Sequence, residues 1–372
     1  MRNIIPVLAF LSLTAGIAYG ENPEEQKRFQ AGDLSLRIKS INFAVNNEYF
    51  NPIVEGYTML GFFLQPEIIY SPASNVSIMA GGHLLKYYGT EKFSMIRPVF
   101  STTLRFSERT TLTLGTLTGP EMHRFFDPHF HRERLYNEYV EDGAQLTYLS
   151  EHIFTDTYIS WENYISRGDS AREQFSAGES FTYTSPPVAG FIRFEVPVQI
   201  QFKHFGGQIS DYSGGVDTYI NSAVGLRVMF DLNEKKTSRA GLEFVQFANN
   251  MRAGDSFSGI NHGRASWSRA FYLYKGFRLE GGYWYGHDFY SPNGNPIFSS
   301  VSNYKPDEVI HYRQLITTSA SLKFLPASAV EFFFGVDLYY DPALNRMDQS
   351  YTLHLNFDKL IGLLPKKKGE ND

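Results

Sequence analysis

The chain contains no cysteine. Disulfides, thiolate metal sites and a lipid-bearing N-terminal cysteine are therefore excluded, and whatever holds the fold together is non-covalent. Tryptophan is scarce, with 3 residues in 372, whereas Tyr reaches 24 and Phe 32. Past the first twenty residues there is no apolar run of roughly 18 or more, which excludes membrane-spanning helices. Neither sign of charge dominates: 34 basic against 39 acidic residues give −5. That balance suggests neither nucleic acid nor an anionic membrane surface as a partner. The opening MRNIIPVLAFLSLTAGIAYG places Arg2 ahead of an apolar run, and Ala18 and Gly20 stand where a signal peptidase reads small residues. An exported protein cleaved after Gly20 is expected.

What the chain does have is an apolar period of two. In VDTYINSAVGLRVMFDL, Ile220, Val224, Leu226, Val228 and Phe230 share one face, opposite Asp217, Asn221, Arg227 and Asp231. FIRFEVPVQIQFKH sets Ile192, Phe194, Val198 and Ile200 against Arg193, Glu195, Gln199, Gln201 and Lys203. FRLEGGYWYGHDF, VEFFFGVDLYYD and YTLHLNFD continue the alternation. These segments run to about ten residues or more, longer than the strands of a soluble sandwich and suited to tilted strands crossing a bilayer. An aromatic content of 16% fits the ring-rich girdles of such barrels.

Connections alternate as well. Short turns at SPASN (71–75), SERT (107–110), SPP (185–187), YKG (274–276) and PASA (326–329) separate longer polar segments near 44–56, 119–143, 206–215, 251–263 and 291–312. The expected fold is all-β: a transmembrane, antiparallel, up-and-down barrel of about 16 strands, within a range of 14 to 18. The expected layout is a signal peptide at 1–20, a flexible lead-in at 21–33, the barrel at 34–359 and a periplasmic tail at 360–372. Pro66 and Pro197 fall inside strands and call for a bulge or local break.

These features resemble Gram-negative outer-membrane β-barrel proteins of the 16-stranded porin type, with a tyrosine-rich style similar to barrels of Bacteroidota-type bacteria. The closing strand carries part of the likeness, with Tyr351, Leu353, Leu355 and Phe357 alternating. The chain departs from that type by continuing about 15 residues past Phe357. The resemblance implies outer-membrane localisation, contact with lipid and lipopolysaccharide, and recognition of the last strand by the barrel assembly machinery. It further implies passive or substrate-preferring diffusion of small hydrophilic solutes, and assembly as a homotrimer or within a protein complex. A closed or plugged barrel acting as an accessory subunit of an outer-membrane complex is the alternative.

The densest chemistry lies in HRFFDPHFHRERLYNEY, residues 123–139. In the porin type the third loop folds inward, so the resemblance makes 119–143 a pore constriction, with His123, Arg124, Asp127, His129, His131, Arg132, Glu133 and Arg134 as its site residues. Arg124, Arg132 and Arg134 opposed to Asp127, Glu133, Glu138 and Glu141 would set a transverse field. A loop capping the barrel from outside, packed on its own rings, is the competing arrangement. The strand phases place Arg37, Lys39, Arg193, Glu195, Lys203, Arg227, Arg278 and Glu280 along the pore, joined by Arg105, Lys323 and Asp337. The basic excess among them would favour anionic solutes, unless these groups simply pair with one another.

No metal and no cofactor are expected. His129 and His131 are two apart with Asp127 nearby, but the three supported ligands of a catalytic zinc and the His-Glu-x-x-His spacing are missing. Catalysis is not expected either. There is no G-x-S-x-G, Walker loop or dinucleotide fingerprint, and His287 and Asp288, as strand neighbours, point to opposite faces.

Overall fold

A computed structural model of the protein describes residues 30–252, 260–305, 307–327 and 329–364. The expected signal peptide, most of the lead-in and the end of the tail lie outside the described residues. Sixteen antiparallel strands form one closed ring. They are β1 Asp33–Glu48, β2 Tyr57–Ala73, β3 Val76–Tyr87, β4 Met95–Arg105, β5 Thr110–Thr116, β6 Asp142–Leu149, β7 Ile153–Asn163, β8 Glu173–Thr184, β9 Ile192–Gly206, β10 Asp217–Asp231, β11 Ser238–Arg252, β12 His262–Tyr274, β13 Phe277–His287, β14 Tyr312–Ala327, β15 Val330–Asp341 and β16 Arg346–Gly362. Each strand pairs with its sequence neighbours, and β1 closes on β16 through Ser35 to Glu48. Closure removes the free edges, which a lipid environment would leave without hydrogen-bond partners. β16 extends to Gly362, paired with Ser35, so the first residues assigned to the tail belong to the wall.

At Pro66 and Pro197 the pairing lapses locally on one side of the strand, as expected, and no bulge forms. The β2–β3 ladder skips Gln65 and Pro66, and the β9–β10 ladder skips Val196 and Pro197, but both resume in the same register. Pro197 lies against Gly225, where a Cβ would meet the proline ring at 3.1 Å, so the missing side chain makes room for it.

Outward residues form an apolar band that includes Leu242, Phe244, Leu279, Ile316, Leu353 and Leu355. Around β12–β14 it is bounded by Tyr274, Phe277 and Phe324 at the turn end and by Tyr283, Tyr285 and Tyr312 at the loop end. The inner face changes character along its height. Towards the short turns it carries Arg37, Lys39, Arg239 and Glu243. Towards the long loops the same inner phase carries Ile41, Phe43, Val45, Val245, Phe247, Trp284 and Leu315, all buried. Two hydrophobic clusters fill that half, one centred on Trp267, Trp284, Phe247 and Phe298, the other on Phe43, Val45, Phe63 and Tyr136. The turn-end half of the lumen is ionic and the loop-end half is a packed core.

Candidate functional site

Loop 117–141 lies inside the barrel. Its flanking strands, β5 and β6, are only 7 and 8 residues long, so the wall is low there and the chain turns inward at once. The amide of Leu117 donates to the Glu141 carbonyl at 2.8 Å and closes the neck, while Thr116 Oγ1 and Arg97 both donate to Asp142. From there the loop reaches walls on all sides. His123 meets Asp156 of β7, the Phe126 amide donates to Gln199 of β9, and Asn47 of β1 donates to Glu133 at 2.8 Å. Tyr136 Oη bonds His354 of β16 at 2.7 Å, and the Tyr139 ring packs on Phe63 of β2.

His123 is the anchor. Its Nδ1 lies 2.8 Å from Asp156 and its Nε2 3.0 Å from Glu141, with all three side chains buried. Burial alone would depress its pKa, but Glu141 and then Asp156 outweigh it and push it up to about 10. An imidazolium donating from both nitrogens has no lone pair left for proton abstraction, so His123 is a lock rather than a base.

The remaining loop residues are engaged locally. Arg124 lies 3.7 Å over the Phe154 ring, Arg132 bridges Asp127 and Asp337, and Arg134 pairs with Glu138 and Glu141. His131 lies 3.7 Å from Glu133, and Tyr57 donates to the other Glu133 oxygen. Asp127 also accepts from Asn295 of loop 288–311 at 2.7 Å. The expected transverse field is corrected by this geometry, because opposite charges adjoin one another instead of facing across a gap.

The lining charges are neutralised in the same way. Arg37 is bidentate to Asp358, Lys39 faces Glu67, Arg193 pairs with Asp231, and Lys203 with Glu162. Arg227 joins Glu195 and Glu243, while Arg278 and Arg269 share Glu280. The expected positive excess is corrected: Glu67, Asp231, Glu243 and Asp358 come from neighbouring strands and Glu162 from the strand beyond β8, and only the sheet's register brings them within reach. Among the described residues no group of three or more His, Asp and Glu side chains is arranged to hold a metal ion.

His129 is fully buried between Phe247 and Phe289, and neither ring nitrogen has a hydrogen bond. Its polar neighbour Gln199 is engaged with the backbone of Phe126 and Arg124. Burial pushes the imidazole pKa down to about 3. Because the unfolded side chain titrates near 6.5, protonation favours the unfolded state, so stability present above that pH is lost as pH falls towards 3. His129→Leu should remove about 2 kcal/mol of that loss at pH 5. Thermal melts at pH 7 and 5 test this, and an unchanged acid slope would contradict it.

A second cluster sits at the loop-end rim. β13 ends at His287, and Asp288 adopts φ 53°, which turns its carboxylate off the strand. One oxygen lies 2.6 Å from His311 Nδ1 and the other 3.5 Å from His287 Nε2. His287 stacks on Tyr312 at 4.5 Å. The opposite-face argument against this couple fails because the strand stops one residue before Asp288. The Asp288 amide donates to the His311 carbonyl at 2.9 Å. With Nδ1–H given to Asp288, His311 Nε2 is left as an acceptor on an exposed ring above the outward tyrosines. Sequence spacing hid this pair, since 23 residues separate its members.

The model of one family, described as lipid A 3'-O-deacylase-type, matches residues 23–366. The chain belongs to this family. The expectation of a non-enzyme is overturned by that membership. No curated protein matches the chain. Among solved structures it is similar to Pseudomonas aeruginosa OpdL, at 14% identity over 89% of this chain and 99% of that one, with a TM-score of 0.51. P. aeruginosa OccK2 (OpdF), solved in complex with glucuronate, matches at 10% identity over 90% and 100%, also with a TM-score of 0.51. Those likenesses support the 16-stranded outer-membrane fold. The deacylase-type barrel belongs to the outer membrane of a Gram-negative bacterium.

One further residue positions the rim pair of this deacylase-type barrel. A Cβ on Gly263 of β12 would fall 1.8 Å from the Asp288 carbonyl oxygen. Gly263→Ala should therefore displace Asp288 and weaken its contact with His311 while leaving the barrel folded. The imidazole NMR signals of His311 with a gel-shift folding check measure this, and unaltered signals would show that Asp288 tolerates the shift.

Proposed function

We propose that this barrel hydrolyses an acyl ester of lipid A at its outer rim, with His311 as general base and Asp288 orienting it. The supporting observation is the 2.6 Å Asp288–His311 contact, set just above Tyr283, Tyr285 and Tyr312 on the lipid-facing side. Glycolipid esters of the outer leaflet lie near that boundary, between water and acyl chains. In the reaction His311 Nε2 takes a proton from water, whose oxygen attacks the ester carbonyl. The C–O bond breaks, the sugar oxygen takes the proton back from His311, and a carboxylic acid leaves. The test is release of a 3'-O-linked acyl chain from lipid A by the purified protein, followed by mass spectrometry. Release by the wild type and its loss in His311→Ala are expected; a folded wild type that releases nothing would sink the proposal.

A second reading concerns the lumen, with 119–143 as the constriction of a path for small hydrophilic solutes. It is favoured by the ionic turn-end half of the lumen and by Arg132 and Glu138 of the loop, which remain about half exposed. In that reading the packed loop-end half is the barrier, and the loop must move before solute passes.

A further inference from the structure

A carboxylate stands in the middle of the lipid-facing wall. On β7, Asp156 and Tyr158 are buried towards the lumen, so Thr155 and Thr157 point outward; on β8, Ser176 and Ser180 are buried inward, so Glu179 points outward. Register sets Thr157 opposite Glu179, and the hydroxyls of Thr155 and Thr157 both donate to its carboxylate. The same outward row runs on into Leu146 of β6 and Ile200 of β9. Glu179 lies four residues from Phe175, whose ring stacks on Trp161 at 5.1 Å at the loop end, and four from Tyr183 at the turn end. Along the strand that is about 13 Å from either aromatic boundary. An ionised group at that depth is costly, and two threonine hydroxyls fill only about half of a carboxylate's acceptor sites. Glu67, Asp156, Glu243 and Glu280, at comparable heights in the wall, instead face the lumen and are buried.

The wall beside Glu179 is also short. β5 and β6 have 7 and 8 residues, and tilted strands of that length rise about 18 to 21 Å, less than the roughly 25 Å of a barrel's apolar band. Lipid must thin to cover such a stretch, and contact with a neighbouring protein relieves the mismatch. We infer that the outward face of β5 to β9 is a two-fold interface between two copies of this barrel, centred on Glu179. A two-fold axis along the membrane normal sets both copies of Glu179 at one depth, whatever that depth is. A carboxyl and a carboxylate facing across the axis share one proton in an O–H···O⁻ hydrogen bond, so the group least suited to lipid is satisfied by its own mate. Ala144 and Ala177 share the outward phase and let the two walls approach, while Leu146, Val198 and Ile200 pack around the polar centre. The pairing is independent of the hydrolytic reading and compatible with it, because β13 and the Asp288–His311 rim stand five strands from β8 and remain facing lipid.

The experiment uses the full chain, with copies per particle counted by sedimentation equilibrium in detergent and by single-molecule photobleaching in lipid vesicles. The wild type should be a dimer. Glu179→Leu should raise the dimer dissociation constant by about 10-fold or more, while the folded monomer is no less stable, since a charge has left the lipid face; a gel shift checks that the barrel is closed. Glu179→Gln should keep the dimer, because a carboxamide both donates and accepts across the same axis. The chain has no cysteine, so Ala177→Cys places a single thiol two residues from the axis. A short bismaleimide should link two copies of that variant, whereas Leu353→Cys on β16, eight strands from β8, should give no linked pair. A monomeric wild type, a Glu179→Leu dimer as tight as the wild type, or equal linkage at the two thiol positions would overturn the inference. Linkage of Ala177→Cys in native membranes to a different protein and never to a second copy would assign this face to another partner, which also overturns it.

Discussion

Asp288→Asn should lower the proposed acyl-ester hydrolysis by about 10²- to 10⁴-fold while the barrel remains closed and stable. The carboxylate holds His311 Nδ1–H at 2.6 Å and so keeps Nε2 free to accept a proton. An amide in its place can present its NH₂ to Nδ1, which favours the other tautomer and puts the proton on the nitrogen that must act as base. The carboxylate also stabilises the imidazolium that forms once water is deprotonated, and the amide does not. His287, at 3.5 Å from the other oxygen, is too distant to take over the orienting contact. The loss should appear in kcat with KM little changed, because the substrate is held by other groups. A drop in KM-dependent binding alone, with kcat intact, would assign Asp288 to the loop clasp and not to the chemistry.

His123→Ala should destabilise the protein by about 3–5 kcal/mol and release loop 117–141 from the wall. Removing the imidazolium leaves Asp156 and Glu141 buried with no positive partner between them. Gln145 donates to Asp156 at 3.1 Å and Arg134 approaches Glu141 at 3.8 Å, and neither satisfies both carboxylates. The pH dependence has a definite sign. The folded pKa, about 10, lies above the unfolded value near 6.5, so the stabilisation is fully present below pH 6.5 and is lost as pH rises towards 10. Alkaline melts of the wild type should therefore show a decline that His123→Ala lacks. Planar-bilayer conductance gives a second readout, since a detached loop opens the loop-end half of the lumen. Unchanged conductance and unchanged alkaline stability in a folded variant would contradict the lock.

Much of the wall was legible because a barrel strand has one simple rule, apolar out and polar in, and turns of two to five residues punctuate it. Ile220, Val224, Leu226 and Phe230 could be read that way without any knowledge of partners, and the closing strand through Leu353 and Leu355 likewise. The rule fails where the lumen is filled. In β1 the outward Leu34, Leu36 and Ile38 give way to inward Ile41, Phe43 and Val45, and in β11 the outward Leu242 and Phe244 give way to inward Val245 and Phe247. That reversal of the apolar phase marks the height at which water ends and the packed loops begin. It is written in the sequence, but it reads as irregular alternation until the loop is seen to occupy the inside.

The sites were less legible than the fold for a different reason. A lumen charge such as Arg227 is visible alone, while its partners Glu195 and Glu243 stand on two other strands and are matched only by register. His123 stood out as part of a dense run, yet its role depends on Asp156, 33 residues away. At the rim the obstacle was backbone geometry. Alternation predicts opposite faces for His287 and Asp288, and a positive φ at Asp288 cancels that prediction by ending the strand.

The most direct measurement is the product analysis of lipid A incubated with the purified, folded barrel. The account predicts lipid A lighter by one 3'-O-linked acyl chain from the wild type, and intact lipid A from His311→Ala at the same concentration. Intact lipid A from the wild type, or the same product from both proteins, would contradict it.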